Sequence, residues 1–381
     1  MNQLKKKTSL YFFVSLTCFS WASSLCLALP SEPTAQTGTV QVEYPNSHTM
    51  VIKSSDGAIL HYKDFQIGAK EEVRFIQSAS SKVQHRIIGK NPSQILGSIQ
   101  SNGNVVFVSP NGIHFGSDSK VDARSLLVST LDISNKNFLK QTYRFTAPKG
   151  ENSSIVVEGS LRSEGSITLL APHIRNLGSI EGCDVSLGSG KSVIFDGSNL
   201  SVSESLKEGL IEQLGDVKAA KVSIKLPLNK KAILHIGEPR ELVIEENGVV
   251  VFGSTSQMKA QKIEIEGSQI SVQGSIDATN LLNKGGSVHL LGKDISLEGA
   301  KIDSSGLLGG GEVLIGGEFR GKGTTPYASK IFMDEASTII ANGSEASGGL
   351  VVLWSQDRTV FEGKIFAQSS ATEGVGGLVE T

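Results

Sequence analysis

A Gly-Gly pair followed by an apolar run occurs four times towards the C-terminus, and this repeat constrains the fold more than any other feature. The copies are Gly285-Gly286-Ser287-Val288-His289-Leu290-Leu291, Gly310-Gly311-Glu312-Val313-Leu314-Ile315, Gly348-Gly349-Leu350-Val351-Val352-Leu353 and Gly376-Gly377-Leu378-Val379, spaced by 25, 38 and 28 residues. A second unit, Gly159-Ser160-Leu161, returns as Gly178-Ser179-Ile180 and as Gly274-Ser275-Ile276. Recurrence at ~20–30 residues marks a solenoid. One turn of such a coil cannot bury its own apolar face, whereas stacked turns share a continuous core and hydrogen-bond each strand above and below. Between the repeats lie short runs with period two, among them Val40-Gln41-Val42-Glu43-Tyr44, Ile155-Val156-Val157-Glu158, Ser166-Ile167-Thr168-Leu169-Leu170, Asp184-Val185-Ser186-Leu187, Ile263-Glu264-Ile265-Glu266 and Ile270-Ser271-Val272. These read as half-buried strands, and their connections are too short for crossover helices, so the body is all-β.

At ~20–25 residues per turn and ~4.8 Å per strand, the chain beyond residue 28 makes on the order of 12–15 turns and a rod of roughly 60–70 Å. Most of the aromatic residues are Phe (15, against 5 Tyr and 2 Trp), which stack without a polar partner. Residues 204–221 break the pattern. There Leu206, Leu210, Leu214 and Val217 recur every three to four residues, which predicts a short surface helix or a structured loop, with a flexible insertion as the alternative.

Charge excludes a nucleic-acid binder. Lys and Arg number 36 against 38 Asp and Glu, and no basic block lies in the body. Lys5, Lys6 and Lys7 precede an apolar stretch over residues 10–27 and the small-x-small site Cys26-Leu27-Ala28, the pattern of an export signal cleaved after Ala28; the alternative is an N-terminal membrane anchor. No second apolar run approaches ~18 residues, so no transmembrane helix is expected in the mature chain. Cleavage would remove Cys18 and Cys26 and leave Cys183, expected to be a small buried apolar residue and unable to form an internal disulfide.

The residues that carry chemistry are scattered. Asp122, Asp132, Asp184, Asp277, Asp294 and Asp303 fall mostly in turn-like contexts, where Asp is favoured locally. His85, His114, His173, His235 and His289 stand apart without metal spacing; His114 and His289 lie on strands and are expected at the surface or beside a partner side chain. Neither a nucleophile elbow nor an EF-hand loop occurs. The reading is a non-enzyme with no cofactor and no metal.

Two stretches are more specific. The first runs Ile95-Leu96-Gly97-Ser98-Ile99-Gln100-Ser101-Asn102-Gly103-Asn104-Val105-Val106-Phe107-Val108-Ser109-Pro110-Asn111-Gly112-Ile113-His114-Phe115-Gly116, followed by Val121-Asp122-Ala123 and Leu126-Leu127-Val128-Ser129-Thr130-Leu131-Asp132-Ile133. Residues 105–108 read as a fully buried strand and Ser109-Pro110-Asn111-Gly112 as a tight turn, Pro presetting φ and Gly tolerating the exit geometry. This stretch resembles the secretion domain of two-partner-secreted exoproteins of the filamentous haemagglutinin type. In that family the turn reads Asn-Pro-Asn-Gly-Ile; here Ser109 replaces the first Asn. His85-Arg86-Ile87-Ile88-Gly89 is similar to the family's Asn-Arg-containing element, with His85 in place of Asn, and Tyr62-Lys63-Asp64-Phe65-Gln66-Ile67 to an upstream aromatic element. The second stretch, Gly309-Gly310-Gly311-Glu312-Val313-Leu314-Ile315-Gly316-Gly317-Glu318-Phe319-Arg320-Gly321-Lys322-Gly323 with the repeats up to Thr381, resembles the β-helical segment that follows the secretion domain. That pattern normally continues; a truncated reading frame and a minimal family member are the two alternatives.

The resemblance implies a right-handed parallel β-helix with extra-helical hairpins and an N-terminal cap. It implies a signal peptide over residues 1–28, a secretion (haemagglutination-activity) domain over 29–200, an irregular insertion or continuation of the helix over 201–260, and exoprotein repeats over 261–381. It also implies export through the periplasm and an outer-membrane β-barrel transporter with periplasmic binding domains, secretion or display at the cell surface, and adhesion or contact with a host-cell or cell-surface receptor or glycan. The turn Ser109, Pro110, Asn111, Gly112, and more weakly Asn91-Pro92, are the candidate recognition elements; a plain β-turn explains the same residues. The rival functions are a secretion-module remnant of a longer adhesin and a β-helical polysaccharide-acting enzyme, the latter requiring three or more convergent carboxylates.

Overall fold

The structure is a computed structural model that describes residues 29–148, 153–195, 200–204, 209–213, 215–219, 221–225, 232–236, 249–252, 257–322 and 327–381. The segment read as an export signal, with Ala28, lies outside these residues, as do Leu206 and Leu214.

Alternation of apolar and polar residues makes strands, and the small residues between them turn the chain. Repeated, this winds a right-handed parallel β-helix. Each coil lays down three short strands on three faces. In one coil these are Asn104–Val108 on the first face, Ile113–Phe115 on the second and Lys120–Ala123 on the third. The next coil places Ser125–Ser129 on Asn104–Val108 in parallel register, Val106 over Leu127. The third face is a 13-stranded sheet, parallel except where Val40–Asn46 pairs antiparallel with Thr49–Ser54. At ~4.8 Å per strand its parallel part spans about 50 Å, shorter than the expected rod of roughly 60–70 Å.

The repeats seen in sequence become vertical stacks. Ser160 and Leu161 sit beneath Ser179 and Ile180. Ser287, Glu312, Leu350 and Leu378 follow one another in register, so the four Gly-Gly units lie one above the other. A Cβ on Gly311 would stand 2.0 Å from the Gly286 carbonyl oxygen, one on Gly349 2.2 Å from that of Gly311, and one on Gly377 2.1 Å from that of Gly349. Each of these coils therefore rests on the backbone of the one below through a residue without a side chain. Inward residues form ladders: Ile99, Val121, Leu161, Ile180 and Val217 on the third face are almost completely buried, as are Ile276, Ile302 and Ile339 further along. Each contributes ~1.5–3 kcal/mol by leaving water, and one continuous core results.

Two additions close the rod. At the N-terminal end Thr34–Thr37 pairs antiparallel with Ile59–Tyr62 and Val40–Asn46 with Thr49–Ser54, forming a cap. On the first face an antiparallel sheet of Tyr143–Thr146, Ser192–Phe195 and Leu200–Glu204, with the short helix Asn135–Leu139, folds over the outward side chains of Val106, Val108, Leu127 and Leu170. This lid is why residues 105–108 are buried on both sides. The inward Val105 and Phe107 enter the rod's core and the outward Val106 and Val108 enter a second core with Phe138, Tyr143, Phe145, Val193, Phe195 and Leu200.

Several expectations are corrected. No helix lies at the described positions of 204–221: Gly209–Gln213, Asp216–Lys218 and Lys221–Lys225 are strands, each stacked in parallel on the previous coil. Leu210 and Val217 belong to different faces of one coil, so their spacing mimics a helical period. Between Lys225 and Gln257 two successive strands, Ala232–Ile236 and Val249–Phe252, occupy the same face. Cys183 is exposed, because it sits on the corner before Asp184–Gly188 rather than inside it. Asp122, Asp184 and Asp294 lie within strands, at positions where alternation points them outward. Asp277 and Asp303 do start turns, each accepting a 2.9 Å hydrogen bond from the backbone N–H two residues on.

Candidate functional site

The singled-out turn joins the first face to the second. Pro110 presets φ at its second position, and Gly112 adopts φ +107°, a left-handed conformation that a side chain resists. The Gly112 N–H donates to the Ser109 carbonyl at 3.0 Å, and the Ser109 hydroxyl donates to the Gly112 carbonyl at 2.7 Å. The Ser109 N–H donates to the Ser129 carbonyl of the next coil, and the Ser93 N–H to the Gly112 carbonyl from the coil below. Ser109 and Gly112 are buried and build the turn; Asn111 is exposed. Its side-chain amide donates to the Gly89 carbonyl at 2.6 Å.

Asn91 and Pro92 lie on the corner directly beneath. Both are exposed, and the Pro92 carbonyl accepts from the Gln66 side chain at 3.0 Å. All six singled-out residues thus meet on one edge of the rod. Around them Ile88 is 55% exposed, an apolar side chain left in water between Arg86 and the Asn91-Pro92 corner.

The neighbouring element splits its roles between the two sides of one strand. His85 points inward and is completely buried against Tyr62, Phe75 and Phe107, its ring 4.0 Å from that of Phe75 between centroids. The Tyr62 hydroxyl is 2.9 Å from His85 Nδ1, while Nε2 has no partner. Burial pushes the His85 pKa down to about 3 and the Tyr62 pKa well above its ordinary value. Arg86 points outward and donates to the Asp132 carboxylate and the Ile133 carbonyl, at the point where the chain leaves the coil for the lid. Sequence reasoning missed this pairing. Its signal was present, since Arg86 and Asp132 both fall in motif segments, but 46 residues separate them.

The other chemistry-bearing residues act locally. His114 Nδ1 lies 2.8 Å from Gln94 and its Nε2 3.1 Å from Glu158; His289 lies 2.8 Å from Glu312, so both strand histidines have partner side chains. The His289 hydrogen bond holds the Glu312 carboxyl below its ordinary range. Asp122, Arg162, Glu181, Lys218, Lys259 and Asp277 form a ladder in register up the third face, with ion pairs Glu181–Lys218 (3.6 Å) and Lys259–Asp277 (3.1 Å). Among the described residues no three His, Cys, Asp or Glu side chains converge on a point that would hold a metal ion. Among those residues no helix is long and apolar enough to cross a membrane.

The motif corner, the lid and the coil stack coincide with a match to the TPS secretion domain over residues 29–234, more than half of the chain. The chain belongs to the TPS secretion domain family. Exoproteins of this family cross the outer membrane with the help of a TpsB transporter. The crystal structure of the HMW1 secretion domain from Haemophilus influenzae superposes with a TM-score of 0.73 at 26% identity, over 92% of this chain and 94% of that one. Two curated relatives are both heme/hemopexin-binding proteins of H. influenzae. One is 32% identical over 145 residues, 38% of this chain and 16% of the relative. The other, from strain ATCC 51907 / DSM 11121 / KW20 / Rd, is 23% identical over 279 residues, 68% of this chain and 31% of the relative. The chain spans less than a third of the length of the curated relatives it matches.

Proposed function

We propose that this chain is the exported partner of a two-partner system: its motif corner is read by the periplasmic domains of an outer-membrane β-barrel, and the rod, folded outside, acts in contact with a cell or host surface. The observation that carries the reading is the convergence of Asn111, Asn91, Pro92 and the exposed Ile88 on one edge, while Ser109 and Gly112 hold the turn from inside. Exposed apolar and amide groups on a rigid corner suit recognition better than internal packing. The fold supplies a direction for transport. The periplasm offers no nucleotide energy, but each coil that closes outside buries apolar area worth ~25 cal/mol per Å² and templates the next.

Because Ser109 and Gly112 are structural, removing the turn would confuse misfolding with lost recognition. Ile88→Glu and Asn111→Arg change the surface instead. With the barrel partner co-expressed, both variants are expected to accumulate in the periplasm and vanish from the medium, while the purified variants keep the wild-type circular-dichroism spectrum. Release of folded variant protein at the wild-type level would remove this corner from recognition.

A further inference from the structure

On the second face, well away from the motif corner, the outward sides of four stacked strands form an open groove of about 700 Å3. The strands are the latter halves of Lys262–Val272 and Ser287–Leu297, then Ala328–Met333 and Ser355–Phe361. Register places the groove's side chains in two columns. Gln269, Asp294, Lys330 and Arg358 stack in one; Ser271, Ser296, Phe332 and Val360 stack in the other.

Three features of these columns do not serve the fold. Lys330 and Arg358 are direct register neighbours, a like-charge pair that a sheet normally avoids. Both are exposed, and among the described residues neither has an ion-pair or hydrogen-bond partner, although Asp294 stands on the rung below Lys330 and Glu362 closes the groove's end. The outward ladder on the third face also stacks two cations, Lys218 on Lys259, but there each has an ion-pair partner, at Glu181–Lys218 and Lys259–Asp277. Phe332 is 38% exposed in the column beside the two cations, two residues along the strand from Lys330 and on the same side. The polar side chains of Gln269, Ser271 and Ser296 line the same groove.

We propose that this groove binds an acidic polysaccharide, laid along the rod axis across successive coils. The carboxylate of one hexuronate bridges Lys330 and Arg358, which removes their mutual repulsion and uses the guanidinium's paired donors. The apolar face of a pyranose ring lies on Phe332 and Val360, and hydroxyls meet Gln269, Ser271, Ser296, Asp294 and Glu362. A groove with one aromatic platform and several convergent polar groups has the composition of a ligand site. The proposal deepens the surface-contact reading by naming a ligand class, and it is independent of how the chain is exported.

The purified full chain, titrated with oligogalacturonate by isothermal calorimetry, with cello-oligosaccharide of the same length as the neutral arm, tests it. Saturable binding of oligogalacturonate is expected, with weakening as salt is raised and no binding of the neutral chain. Arg358→Ala and Phe332→Ala should each weaken binding by about tenfold, with Lys330→Ala behaving like Arg358→Ala. These side chains are exposed, so unchanged thermal melting will show that the variants fold. Absence of saturable binding, equal binding of the neutral chain, or variants that bind as wild type would each overturn the proposal. None of these outcomes bears on secretion, which is read by release into the medium.

Discussion

One column of outward side chains on the first face changes chemistry along the rod. In register it runs Val106, Leu127, Thr168, Ser186, Ser223, Glu264, His289, Leu314 and Val352, the last two again apolar and buried. The first two are apolar and lie under the antiparallel lid; Thr168, Ser186 and Ser223 are still buried; Glu264 and His289 are half-buried, and His289 pairs with Glu312. The backbone ladder is the same throughout. The comparison teaches that the coil alone does not decide how much of its outer surface meets water. Over the apolar Val106 and Leu127 there is a cover, built where the chain leaves the coil after Ser129 and again after Gly188. At Glu264 and His289 the coil runs on with short corners and the face is half-exposed.

The largest expected effect breaks the covered end. Phe145 is completely buried in the lid's own core. Phe145→Ala should cost about 3–5 kcal/mol by urea denaturation and expose the first-face apolar residues to a hydrophobic dye. A loss below about 1 kcal/mol would mean that the lid is not a packed part of the covered half.

A second effect separates the interior of the covered end from its surface. His85 is depressed to about 3 when folded, against about 6.5 in an unfolded chain. The unfolded state therefore binds the extra proton between these values. The His85 contribution to stability is fully present above pH 6.5 and is lost as pH falls from about 6.5 towards 3, at roughly 1.4 kcal/mol per pH unit. His85→Asn, which restores the residue found in the family pattern, should flatten that fall between pH 6.5 and 5. Parallel stability–pH curves for the two proteins would show that His85 is not buried in its neutral form.

The smallest effect belongs to the half-exposed stretch. His289→Ala removes a partly exposed pair with Glu312, so a change of no more than about 1 kcal/mol is expected by the same urea titration. A loss approaching that of Phe145→Ala would erase the distinction between the two regions.

The sequence alone established the solenoid. The spacings of 25, 38 and 28 residues between Gly-Gly units are the register offsets of the stacked strands, because at these corners each coil comes too close to its neighbour's carbonyl to leave room for a side chain. Period-two alternation likewise marks the inward ladders, and the motif residues Ser109, Pro110, Asn111, Gly112, Asn91 and Pro92 stand out along the chain without showing where they meet. Only the tertiary structure decided which of them face solvent, that Arg86 holds Asp132 across 46 residues, that His85 lies inside an aromatic cluster, and that Leu210 and Val217 belong to strands. The physical reason is range. Alternation and glycine placement act between neighbours along the chain and are written locally, whereas lid contacts, buried histidines and outward columns depend on which coil arrives above which, and that is set only when the stack has closed.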